Sequence, residues 1–248
     1  MALSDFQTAL GRLVRAPDGR DPFRSLCLDE RERSCLERLS QSAGFRFTVD
    51  VQRSWCVGRT MNAGTLTLSI LSDGVRRPLL EAWTNCGGGT SSFFAAEADA
   101  LFDFIAARLH DPSHELTVCR FEQATLRASE KAAVFIPPKP IEPDAPGRAL
   151  RRGPYAGMVL FHGDPGVILD ALATGKPLPP VSHEVSPILL SPGLDRLWRP
   201  ASAIEVGLWN RLSAPSPFPA LLREGFPRDA IESMLRAGAL EFVDNGLE

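Results

Sequence analysis

No two cysteines stand at C-x-x-C spacing in this 248-residue chain, and the five present (Cys27, Cys35, Cys56, Cys86 and Cys119) form an odd, widely spaced set. A zinc knuckle and a disulfide scaffold are thereby excluded, and free thiols in a reducing cytosol are expected. Long apolar runs are missing as well, since none approaches the roughly 18 residues of a membrane span. The opening MALSDFQTALGRLVRAP is too polar and too acidic for a secretory signal, so the expected location is cytoplasmic. Surplus positive charge is a third absence. Lys and Arg number 27 against 30 Asp and Glu, a net charge of −3, which provides no field to gather nucleic acid.

The stretch TNCGGGTSSFF at 84–94 lacks two further things. No lysine follows its glycines, as a phosphate loop requires, and the G-x-S-x-G of a nucleophile elbow is missing. Its plain reading is a loop in which Thr90, Ser91 or Ser92 caps the helix that follows. The chemical alternative makes Cys86 a reactive thiol at a helix N-terminus. His110 and His114 are four apart, the spacing of two ligands on one helix face, but Pro112 between them favours a turn joining two helices. His162 and His183 have no carboxylate or cysteine at ligand spacing. No metal site and no cofactor is read in this chain.

What is present is apolar material and proline. Hydrophobic residues are 44% of the chain, enough for one large or two ordinary domains. FIPPKPIEPDAPGRALRRGP at 135–154 holds six of the 21 prolines and has no apolar periodicity. It reads as an extended connector and domain boundary. Before it the pattern is helical. Leu3, Phe6, Leu10, Leu13 and Val14 share a face, with Ser4 and Gln7 as a capping box. A charged helix follows with Cys35, Leu36 and Leu39 inward, stopped near Gly44. FRFTVDVQ alternates like a strand, yet Phe47, Val51 and Trp55 also fall on one helical face, and helix is preferred. Phe94, Ala98, Leu101, Phe102, Ile105 and Leu109 line another helix. HELTVCRFEQATLRASEKA is a further one, with Leu116, Cys119, Ala124 and Leu126 as burial candidates.

After the connector, YAGMVLFHG reads as a buried strand. A short helix starts at Asp164-Pro165 and stops at Gly175. Strands at 188–190 and 195–198 fold about Pro192-Gly193. Three helical pieces then precede a last strand at 240–243. The expected class is α+β, with a helical domain over 1–136, a proline-rich linker over 137–153 and a smaller α/β domain over 154–248. The second domain carries a winged-helix-like module. Such a module can read DNA with its last helix, but Arg228 and Arg236 are opposed there by Asp229 and Glu232. It can also take a peptide as an added strand, which suits the charge better.

GMVLFHGDPGVILDALATGKPLPP and ILLSPGLDRLWRPASAIEVGLW resemble the small partner subunits of multinuclear-iron oxidative enzymes that modify ribosomally made peptides. LSDFQTALGRLVRAP and ELTVCRFEQATLRASEKA fit the same group, which includes the partners in methanobactin and 3-thiaglutamate biosynthesis. The resemblance implies a separate TIM-barrel oxidase that holds the iron, with this chain docked on it as a heterodimer and presenting the precursor peptide. It implies no cofactor in this chain. In the thiaglutamate type a C-terminal cysteine loses its β-carbon; in the methanobactin type a cysteine becomes part of an oxazolone–thioamide pair. The length of the chain favours the former.

The candidate peptide-binding residues are Asp195, Leu197 and Arg199 on the strand edge and Met234 on the helix over 228–237, where Ile231 and Leu235 read as core. Met234 is chosen because a flexible thioether adapts to partners. Arg53, Trp55 and Arg59 are the candidate contacts to the barrel partner. Two alternatives stand beside this reading. One is a winged-helix DNA-binding regulator, and the other is an independent enzyme using Cys86 or the His110/His114 pair.

Overall fold

The computed structural model describes residues 3–15, 23–88, 94–138 and 148–244. The fold mixes helix with two small antiparallel sheets of three strands each, and it divides into two units, 1–108 and 109–248.

The first unit is helical: α1 (Leu3–Arg15), α2 (Glu30–Ser40), α3 (Ala43–Ala63), α4 (Thr65–Ile70), α5 (Asp73–Asn85) and α6 (Phe94–Ala106). Ser4 already lies inside α1, where its carbonyl accepts the Thr8 hydroxyl at 2.7 Å, so it is not the expected cap. Asp29 forms a full capping box with Glu32 at the start of α2. Of the three residues expected inward there, only Leu36 is buried; Cys35 and Leu39 are exposed. α2 ends at Ser40, ahead of the stop expected near Gly44, which lies in the first turn of α3. Ser42 caps α3 instead, its side chain accepting from the Phe45 amide, and the ambiguous FRFTVDVQ is helix. Leu36, Phe45 and Val49 meet Ala9 and Leu13 of α1 in one apolar cluster. Ala98, Leu101, Phe102 and Ile105 are buried along α6. Thr90, Ser91 and Ser92, the proposed caps, lie outside the described residues.

The second unit opens with α7 (His114–Ala132), so the division falls before this helix and not within the proline-rich stretch. α7 packs on β2 (Gly157–Phe161). Phe121 stands edge-on to Phe161 at 5.5 Å and to Trp198 at 6.0 Å. A Cβ at Gly157 would sit 2.7 Å from Ala124 Cβ, so only glycine admits this approach. The expected connector also contains a strand. β1 (Arg148–Arg152) is the centre of a sheet ordered β5-β1-β6, between β5 (Ser216–Pro217) and β6 (Leu240–Asp244). Leu150 is fully buried, although arginines stand on both sides of the Ala149-Leu150 pair.

The other sheet is ordered β2-β3-β4, with β3 (Ser186–Leu190) and β4 (Trp198–Pro200). Between β2 and β3 lies α8 (Pro165–Thr174), which starts on Asp164 and ends on a left-handed Gly175, as its punctuation predicts. Helices α9 (Ala203–Arg211), α10 (Phe218–Arg223) and α11 (Arg228–Arg236) complete the unit. Their apolar faces form a single cluster with Leu150, Leu189 and Leu240.

Candidate functional site

The edge expected at Asp195, Leu197 and Arg199 takes a different form. Asp195 is exposed in a turn, and Leu197 has left-handed backbone with φ 62°. The Leu197 amide donates to the Leu194 carbonyl and the Leu197 carbonyl accepts from the Ser191 amide, both at 2.9 Å, so neither group is free. β4 therefore begins one residue after Leu197. The Ser191–Leu197 and Ala201–Pro187 bonds set the antiparallel alternation, which turns only Trp198 and Pro200 outward. Proline has no N–H, and the Pro200 carbonyl already accepts the Arg199 guanidinium at 2.9 Å. A three-residue edge with at most one outward donor is blunted.

Arg199 is also committed to α9. Its guanidinium binds both carboxylate oxygens of Glu205, one at 3.0 Å. Glu205 is 6% exposed and accepts further from the Ser202 amide at 2.9 Å and hydroxyl at 3.1 Å. Burial by itself pushes this carboxyl up, but the donors of Arg199 and Ser202 outweigh it and hold the carboxyl below its ordinary value. The bond to Glu205 raises the Arg199 guanidinium despite its partial burial. Met234 is not a groove residue either. It is fully buried between Ile231 and Leu235, because positions i, i+3 and i+4 share one helix face.

A better edge lies on the other sheet. β6 pairs with β1 over five residues, and among the described residues it has no strand on its far side. The Gly153 amide donates to the Ala239 carbonyl at 2.8 Å. This fixes the alternation, so Glu241 and Val243 bond to β1 while Leu240, Phe242 and Asp244 turn their N–H and C=O away from it; Leu240 is itself buried, so the row is open from Phe242 onward. No proline interrupts the row, and α11 packs beside it. Glu241 is tied to Arg151 at 2.6 Å. Arg228 of α11 pairs with Glu232 at 3.4 Å and lies over the Phe218 ring, which leaves Arg236 as the exposed cation of that helix. A prediction of β6 was available from the apolar 240–243. Its openness was not, because β1 was read as linker.

In the first unit, Arg53, Trp55 and Arg59 point apart. Arg53 reaches the end of α5, bonding Asn85 and, at 3.4 Å, Thr84. Arg59 turns to Glu97 of α6 at 3.4 Å. Trp55 stands exposed between them on the outer face of α3, in line with Phe47 and Val51. A groove of roughly 830 Å³ runs between α3 and α5, with Val57, Met61 and Leu80 as its apolar lining.

The remaining chemical candidates are not assembled into a site. Cys86 is exposed and caps the C-terminus of α5, not the N-terminus that the reactive-thiol reading requires. His114 is buried as the first residue of α7, its Nε2 2.8 Å from the Pro179 carbonyl, while His110 is exposed in the preceding turn. Among the described residues no three His, Cys, Asp or Glu side chains converge as metal ligands, and no helix is long and apolar enough to cross a membrane. Comparison with protein-family models and with curated proteins finds no match to this chain.

Proposed function

We propose that this chain is the peptide-holding subunit of a two-component oxidase that modifies a ribosomally made precursor, the iron being held by a separate TIM-barrel partner. The observation that carries this reading is the one-sided pairing of β6. Its outward amides and carbonyls can receive an extended peptide as a fourth strand, with main-chain bonds supplying affinity and alternate side chains specificity. The run β5, α10, α11 and β6, closed by β1, supports a winged-helix-like arrangement in which that edge lies beside the last helix. Resemblance of the sequence to the accessory subunits of such oxidases supplies the reaction class, a cysteine modification of the thiaglutamate type. In this reading Arg199 stabilises the fold and the peptide edge moves from β4 to β6.

Hydrogen exchange tests the edge residue by residue. In the free chain the Phe242 amide exchanges rapidly, while Glu241 and Val243 are protected by β1. Short peptides encoded beside the gene are the probes. Binding of the precursor should protect Phe242 and leave the alternate amides unchanged. Protection on β4 instead, or none on β6 with peptide bound, rejects this edge. Precursor turnover by the isolated chain, without a second protein, rejects the subunit reading itself.

A further inference from the structure

Lys176-Pro177-Leu178-Pro179-Pro180, between α8 and β3, is confined by its own sequence. Proline holds φ at about −65°, and a residue that precedes proline is pushed into the extended region. Every residue of this run is a proline or precedes one. The run is therefore set up as polyproline II, a helix of roughly three residues per turn without internal hydrogen bonds.

The anchors of the segment repeat with the same period. The Lys176 amide donates to the Ala171 carbonyl at 2.9 Å, and the Ser182 amide donates to the His162 carbonyl at 3.0 Å. Midway between them, His114 Nε2–H donates to the Pro179 carbonyl at 2.8 Å. His114 is buried and its Nδ1 has no hydrogen-bond partner, so among the described residues this ring bonds to Pro179 alone. Residues 176, 179 and 182 thus form the inner edge. Pro177 and Pro180, one residue on, form an outer edge and are exposed. Val181 beside them is 44% exposed.

Such a ridge narrows the choice of partner. Its prolines have no N–H, so it cannot complete a strand ladder. Among the described residues the carbonyls of Pro177, Leu178 and Pro180 accept no hydrogen bond. The outer side therefore shows pyrrolidine rings and acceptors. Its complement is an aromatic side chain that packs on proline and brings its own donor, as Trp and Tyr do. Because the segment is already extended, docking orders little further backbone.

We propose that residues 176–181 are a preformed polyproline ridge that docks in a Trp- and Tyr-lined groove of a protein partner. The inference stands on this segment and its anchors and does not depend on the β6 edge. A rigid connection of α8 to β3 would also use these prolines, by limiting the unfolded chain, but that role affects stability and involves no binding.

The probes are isolated WW and SH3 domains, whose aromatic grooves read polyproline II. They are titrated into the isotope-labelled full chain, and the Leu178 and Val181 amides are followed by NMR. At least one domain should shift both amides in a saturable way, and alanine in place of its groove tryptophan or tyrosine should abolish the shift. Pro177→Ala combined with Pro180→Ala should weaken that binding several-fold while Tm falls by only a few degrees. No shift with any probe domain, or binding that the double variant leaves unchanged, overturns the proposal and returns the prolines to the connector role. So does a concentration-dependent dimer that the double variant dissolves, which seats the ridge on a second copy of this chain.

Discussion

Replacing Arg199 by methionine decides whether this residue serves the fold or a ligand. Methionine keeps an apolar stem and removes the charged fork, leaving the Glu205 carboxylate in its site with only the Ser202 donors. Removing one partner of a buried pair costs about 3–5 kcal/mol. The Arg199 side chain is 33% exposed, so water reaches the vacated side and the loss belongs at the low end, about 3 kcal/mol. For a unit of this size that is a drop in Tm of roughly 6–12 °C at pH 7, read by the fluorescence of Trp198 and Trp209. The pH dependence has a definite sign. The folded-state pKa of Glu205 is depressed, so its contribution is fully present above the unfolded value of about 4.3 and is lost as pH falls through the folded value. The gap between wild type and Arg199→Met should therefore narrow below about pH 4. Replacing Glu205 by methionine as well should recover part of the loss, because an apolar pair leaves no stranded charge. A loss under about 1 kcal/mol, the range of a solvated surface pair, or a gap that persists in acid would refute the structural role and return Arg199 to the peptide-binding candidates.

Leu197→Pro should unfold the turn ahead of β4, since proline cannot reach φ 62° and removes the bond to Leu194; a loss of at least about 3 kcal/mol is expected in a thermal melt, and a melt like wild type contradicts the left-handed turn. Gly238→Ala should cost about 2–3 kcal/mol, because φ is 74° and the new Cβ would lie 2.6 Å from the Phe135 ring; differential scanning fluorimetry measures it, and an unchanged Tm refutes that packing. Ellman's reagent should titrate Cys27, Cys35 and Cys86 in the native protein, with Cys56 and Cys119 reacting only after denaturation. A fourth fast thiol would show that one of the two buried sites opens.

Helices were legible wherever one face had to be apolar and the ends carried punctuation. α8 is the clearest case, with Asp164, Pro165 and Gly175 doing locally what they do in any helix. α3 was decided correctly by the Phe47, Val51 and Trp55 spacing, although that face proves to be the exposed one. β4 was misplaced by the conformation of Leu197, a left-handed residue with no glycine or asparagine to announce it. The division before α7 depends on Phe121 meeting Phe161 and Trp198, pairings between distant segments that no local pattern contains. Prolines marked a real change of structure after α7 but not the boundary of the unit. Met234 shows a similar limit, because side-chain softness was weighed above the helix face that buries it.

During synthesis, β1 emerges long before its partners at 216–217 and 240–244. At ribosomal speeds of about 5–20 residues per second, Leu150 waits roughly 5–20 s for the β6 strand that will shield it. An unpaired strand is an aggregation hazard over such an interval, and flanking charge is the usual protection. Arg148, Arg151 and Arg152 supply that charge. The arginines that disguise this segment as linker are thus suited to guard the nascent chain until its C-terminal strand arrives.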